Sequence, residues 1–79
     1  MPHSDPQPAL GEAVRTLRKR AGLSQEALAE RSGLAPSEVT RIESGLTDPV
    51  WGDVRRIAGG LGVPLEELAE LAEELEDRA

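Results

Sequence analysis

The run QEALAERSGLAPSEVTRIESG, from Gln25 to Gly45, constrains this chain more than any other part of it. It reads as two short helices joined by a turn too tight to leave either independent of the other. Leu28 and Ala29 face inward from the first, and Leu34, Val39 and Ile42 face inward around and from the second. Two helices crossing at roughly 90–120° through a turn of about three or four residues nearly touch at the corner, and Ala29 is small enough to allow it. Gly33 supplies the positive φ that ends the first helix without a Cβ penalty. Val39 and Ile42 share one helical face and fix the second helix to a core. On geometry alone, a helix-turn-helix and an ordinary αα-corner fit equally well.

A corner needs a core to sit on, and 79 residues allow one domain with one modest core. Trp51 is the only aromatic residue, so that core is Leu, Val, Ile and Ala, and an all-α domain is expected. Without cysteine there is neither disulfide nor thiolate site, which fits a reducing cytoplasm. No segment approaches the roughly 20 apolar residues of a membrane span, and Met1 to Ala9 lacks a signal-peptide apolar run. A cytoplasmic protein with no membrane role is expected. No nucleophile stands with a base, no His or Cys has metal-ligand spacing, and no glycine loop cradles a phosphate. The expectation is a non-enzyme with no metal and no cofactor.

The net charge of −6 argues against a nucleic-acid partner only if it is spread evenly. It is not. Residues 1–61 carry eight basic side chains against eight acidic ones and are neutral, whereas residues 62–79 carry seven acids against Arg78 alone. A neutral body with an acidic end binds DNA only with that end turned away.

In chain order, Met1 to Pro8 holds three prolines among polar or small residues and reads as a disordered leader. The sole histidine, His3, lies there with no second ligand nearby. Residues 9–79 form the domain. A first helix over Ala9–Ala21 places Leu10, Val14, Leu17 and Ala21 in one stripe and crowds Arg15, Arg18, Lys19 and Arg20 into its C-terminal half, where cations suit the helix dipole. Gly22 closes it. Ser24 is a good N-cap for the second helix, with Glu26 in its first turn. Pro36 suits the first position of the third. Ala35 is a poor cap, and Glu38 can reach back to its N–H. The outward residues of this helix are Pro36, Ser37, Thr40, Arg41 and Ser44. A fourth helix follows from Val50 or Trp51 to about Gly60, with Val54, Ile57, Ala58 and Leu61 inward and Trp51 covering the core edge. Gly59 and Gly60 cost roughly 1 kcal/mol each against alanine, so early fraying is expected there. A fifth helix runs from about Leu65 to Glu76. Leu65, Leu68, Ala69 and Ala72 make one apolar stripe, and Leu71 and Leu75 extend it sideways beyond what a five-helix core needs. Exposed apolar strips mark contacts.

Leu10-Gly11, Gly22-Leu23-Ser24-Gln25, Glu43-Ser44-Gly45, Asp48-Pro49 and Leu61-Gly62-Val63 stand at the spacings of the lambda repressor/Cro-like (XRE-type) helix-turn-helix family. The chain resembles that family from roughly Leu10 to Leu68. The resemblance implies a compact five-helix domain that lays its third helix in the major groove, N-terminal residues at the base edges. It puts Ser37, Thr40 and Arg41, with Pro36, on the base-facing surface. Arg41 suits bidentate contact to guanine, and Thr40 a thymine methyl or a base-edge acceptor. It assigns phosphate contacts to Ser24, Gln25, Ser44, Thr47 and Trp51, the last by its indole N–H if it does not pack in the core. It pairs Arg18 with Glu43 as a structural tie. There are departures: Pro36 cannot hydrogen-bond a base, Glu38 repels phosphate unless it caps, and Thr47-Asp48 make a weak phosphate clamp.

Two functions follow as expectations. The first is a sequence-specific regulator of double-stranded DNA, a dimeric repressor or controller on a palindromic operator. One sparse recognition helix needs a second copy, and the expected interface is Leu68, Leu71, Ala72 and Leu75. The second is a helix-turn-helix module of antitoxin or adaptor type that docks a protein partner through its acidic fifth helix.

Overall fold

The computed structural model describes residues 5–78. Five helices carry them: α1 (Pro8–Arg20), α2 (Gln25–Ser32), α3 (Pro36–Glu43), α4 (Trp51–Leu61) and α5 (Leu65–Arg78), with no strand among the described residues. Each helix start has a local cause. Pro8 opens α1, where its missing N–H costs nothing. Ser24 Oγ accepts from the Ala27 N–H at 3.0 Å and caps α2. Ala35 has no oxygen to offer α3, so only half of a capping box forms. Glu38 Oε1 accepts from the Ala35 N–H at 3.0 Å.

The turn between α2 and α3 closes on Gly33, whose φ of 71° is left-handed, while the Leu34 N–H donates to the Ala29 carbonyl at 2.9 Å. Those bonds satisfy carbonyls that the end of α2 would otherwise strand. Leu28 and Ala29 of α2 and Val39 and Ile42 of α3 are all buried. They meet Ala13, Val14 and Leu17 of α1, Ile57, Ala58 and Leu61 of α4, and Leu68 of α5 in one cluster. Burying a side chain such as Leu28 or Ile57 completely contributes about 1.5–3 kcal/mol. The two helices of the corner are therefore held both by each other and by the rest of the domain.

Several details depart from the sequence-based expectations. The leader does not extend through Pro8: Pro8 is helical, and the Gln7 N–H donates to the Gly45 carbonyl at 3.0 Å. His3 and the rest of residues 1–4 lie outside the described residues. Ala13 rather than Ala21 completes the buried stripe of α1, and Ala21 is exposed. The double glycine does not fray α4, which continues to Leu61. Gly60 is a point of close approach, where a Cβ would run into Ser32 Oγ and come within 3.1 Å of Leu28 Cδ1. Packing of α2 on α4 offsets the propensity deficit.

The largest departures concern Trp51 and α5. Trp51 does not cover the core. It is 63 % exposed, and with Leu46 (78 %) and Val50 (67 %) it forms an apolar surface at the α3–α4 loop. It stands at the first residue of α4, one turn before Val54 and two before buried Ala58, and is left uncovered there. On α5, Leu68 is fully buried and unavailable to any partner. Leu71, Ala72 and Leu75 are half-buried against the domain's own core, and Ala69 is exposed. The reason is that α5 packs mainly along α1, which takes Leu68 into the core and leaves Leu71, Ala72 and Leu75 only part of their surface free.

Candidate nucleic-acid interface

The outward surface of α3 carries Pro36, Ser37, Thr40, Arg41 and Ser44, all exposed. Glu38, between them, is half-buried and drawn to the N-terminus of α3 by its bond to Ala35. Arg41 has no ion-pair partner among the described residues. Its side chain borders a shallow groove with Glu38, Thr47, Asp48, Val50 and Asp53. The three carboxylates there lower the positive potential around it, so Arg41 suits a directed contact better than long-range attraction.

Behind this surface lies a chain of hydrogen bonds that links three helices. Arg18 of α1 grips Glu43 at the end of α3 with both ends of its fork: Nε donates to Oε2 at 2.6 Å and Nη2 to Oε1 at 3.0 Å. Its third nitrogen, Nη1, donates to the Leu23 carbonyl at 2.8 Å. The two side chains are only 11 % and 3 % exposed. The bond to Glu43 raises the Arg18 pKa above its already high ordinary value, against the opposing effect of burial. A paired and hydrogen-bonded charge at this depth holds its neighbours in one geometry. Gln25 then joins the pair: its Nε2 donates to Glu43 Oε1 at 2.9 Å, and its Oε1 accepts from Thr40 Oγ1 at 3.0 Å. Thr40 Oγ1 also lies 3.1 Å from the Pro36 carbonyl.

The residues assigned to phosphate fall into two groups. Gln25 and Ser24 stand together at the N-terminus of α2, where the first backbone N–H groups have no helical partner. The Gln25 amide keeps one N–H beyond the one given to Glu43. Ser44 and Thr47 keep their hydroxyl protons within the protein instead. Both hydroxyls donate to the Arg41 carbonyl, at 2.5 Å and 3.4 Å, so neither has a proton left for a phosphate. Trp51 is exposed at the start of α4. The tie from Gln25 to Glu43 and Thr40 is absent from the sequence-based reading. No spacing signals it, because it depends on side-chain rotamers meeting across different helices.

The sequence pattern of the helix-turn-helix domain family matches residues 9–71. Among solved structures, the chain is similar to the restriction-modification controller protein C.AhdI from Aeromonas hydrophila, with 35 % identity and a TM-score of 0.75. That match covers 78 % of this chain and 94 % of the other. The clp gene regulator ClgR from C. glutamicum matches at 25 % identity and a TM-score of 0.81, covering 86 % and 88 % of the two chains. The restriction-modification controller protein C.Esp1396I shares the fold, with a TM-score of 0.85 at 20 % identity over 92 % of this chain and 95 % of that one. Comparison with curated protein sequences yields no significant match.

Proposed function

The chain belongs to the helix-turn-helix domain family, and from that premise we propose that it is a sequence-specific, double-stranded-DNA-binding transcriptional regulator of the repressor or controller kind, not an enzyme. The observation that carries this reading is the braced α3: its inner end is clamped by Arg18 and Glu43 while Ser37, Thr40 and Arg41 stand exposed on its outer surface. The likeness to a restriction-modification controller at 35 % identity supports it. In this reading α3 lies in the major groove, Arg41 reads a base edge, and the N-terminus of α2 with Gln25 abuts a phosphate. The acidic outer face of α5 is turned away from the duplex.

Binding to random duplex at two salt concentrations tests the class of partner, because displaced counterions make affinity for DNA fall as salt rises. Arg41→Ala is expected to cost about 1–3 kcal/mol on a preferred site and to flatten discrimination at one base-pair position, whereas a lost phosphate contact weakens all duplexes alike. Fluorescence anisotropy on a set of single-base-pair variants separates the two outcomes. If Arg41→Ala weakened every duplex equally, Arg41 would be a backbone contact.

A twofold dimer on a roughly palindromic site belongs to the same proposal, since one recognition helix reads only a few base pairs. With Leu68 of α5 buried in the core, the most exposed apolar surface that fits a second copy is Leu46, Val50 and Trp51, at the far end of α3. The domain measures 33 × 26 × 18 Å. To read a palindromic site, two copies must hold their α3 helices about one helical turn of DNA apart, roughly 34 Å. Sedimentation is expected to give a dimer for the wild type and a monomer for Val50→Glu/Trp51→Glu. A double mutant that still dimerises removes this surface from the reading.

A further inference from the structure

We propose that Thr40 meets the major groove as a hydrogen-bond acceptor only, and so selects a base with an amino group, adenine or cytosine, at one position of the contacted strand. The inference rests on the reading of α3 as a major-groove helix. The carboxylate of Glu43 is held by two bonds from Arg18 and can only accept. The Gln25 group facing Glu43 Oε1 at 2.9 Å must therefore be its NH₂ end. The other end of that amide, facing Thr40 Oγ1 at 3.0 Å, must be its oxygen. An amide oxygen accepts and does not donate, so the hydroxyl of Thr40 is the donor of that bond. The second neighbour of Thr40 Oγ1, the Pro36 carbonyl at 3.1 Å, is an acceptor as well.

A hydroxyl has one hydrogen and two lone pairs. With acceptors on both inner sides of Thr40, its hydrogen stays within the protein whichever of them it faces. Only lone pairs remain for the solvent side, where Thr40 is exposed. In the major groove, lone pairs match the N6 amino group of adenine or the N4 amino group of cytosine. They oppose the O6 of guanine and the O4 of thymine. To donate to a keto oxygen, Thr40 would have to leave the Gln25 oxygen and the Pro36 carbonyl together, at the expense of bonds already made. The threonine that the sequence reading matched to a thymine methyl or a base-edge acceptor is thereby restricted by its neighbours to accepting.

The test uses the full chain and duplexes selected from a randomised library. Thr40→Val keeps the shape of the side chain and removes the hydroxyl. At one position the wild type is expected to prefer adenine or cytosine over thymine or guanine by roughly three- to tenfold, the size of one neutral hydrogen bond. Thr40→Val is expected to abolish that preference and leave the others in place, while Thr40→Ser retains it. Replacing the selected base by its analogue without the amino group (purine for adenine, 2-pyrimidinone for cytosine) should weaken the wild type by the same factor and leave Thr40→Val unaffected. Thr40→Ala, which favours the helix, takes the place of the valine variant if that one does not fold. The inference is overturned if loss of the hydroxyl changes no base preference, or if the position it relaxes favours guanine or thymine. A wild type with no salt-sensitive affinity for any duplex overturns the DNA-binding reading and this inference together. Selective binding that ignores Thr40 overturns the inference alone.

Discussion

Replacing Glu43 by alanine is expected to lower the melting temperature by about 15 °C, a loss on the order of 3 kcal/mol for a domain of this size. Exposed ion pairs contribute far less, about 0–1 kcal/mol, and burial decides between the two scales. The Glu43 side chain is 3 % exposed and that of Arg18 11 %. Without Glu43, the guanidinium keeps only the Leu23 carbonyl at 2.8 Å and remains charged at a covered helix junction. Its charge cannot be shed, since even an unpaired Arg is protonated throughout the working range. In the wild type the bond to Glu43 raises the Arg18 pKa above its ordinary value. A raised folded pKa means that this stabilisation is present below the unfolded value and lost only as pH climbs through the folded one, so moderate alkali leaves the pair intact. Gln25 Nε2 loses its acceptor in the same mutant, and with it the brace on Thr40. The double mutant Arg18→Leu/Glu43→Leu, which removes both charges, is expected to recover a large part of the loss. Thermal unfolding followed by circular dichroism measures all three proteins. A midpoint unchanged in Glu43→Ala would show that the pair does not anchor α3.

The helix-turn-helix itself was legible because its signals are local. Gly33 at the turn, Ser24 as a cap, Pro36 at a helix start and Glu38 reaching back to Ala35 each act within about four residues, and the backbone obeys them. Features that depend on how helices lie on one another were not legible. A lone tryptophan is most simply placed in a core, but Trp51 stands at the first residue of α4 and stays exposed. The leucines of α5 looked surplus because periodicity describes one helix and says nothing of its neighbour. In the folded chain α5 packs along α1, and Leu71 and Leu75 are partly buried against the core. Gly60 looked like a weakness in α4 for the same reason, since only the presence of Ser32 and Leu28 across the interface explains it. The hydrogen-bond chain from Arg18 to Thr40 was half legible. The resemblance pairs Arg18 with Glu43, but nothing in the order of residues places the Gln25 amide between Glu43 and Thr40.

Gly11→Ala is the second change with a large expected effect, and helix propensity alone predicts its sign wrongly. Gly11 lies within α1, where alanine is favoured over glycine by about 1 kcal/mol. A Cβ at Gly11, however, would stand 2.6 Å from the Ile42 carbonyl oxygen, 2.9 Å from that of Glu43 and 2.9 Å from the Gly45 nitrogen. All three are backbone atoms, which cannot rotate aside as a side chain does. To admit the methyl group, α1 must move off the end of α3, and that movement pulls on the Arg18–Glu43 bonds and on the Gln7–Gly45 bond. Overpacking of this kind costs typically 1–3 kcal/mol and sometimes more. Contacts with rigid backbone on three sides put Gly11→Ala at the upper end, near 3 kcal/mol after the propensity gain is subtracted. Gly59→Ala provides the contrast within the same chain. It is also helical, but nothing lies within 4 Å of the added Cβ, so propensity acts unopposed and a gain of up to about 1 kcal/mol is expected. Urea unfolding of the two variants should therefore move the midpoint in opposite directions. A Gly11→Ala protein as stable as Gly59→Ala would mean that α1 and the end of α3 are not in contact at this point.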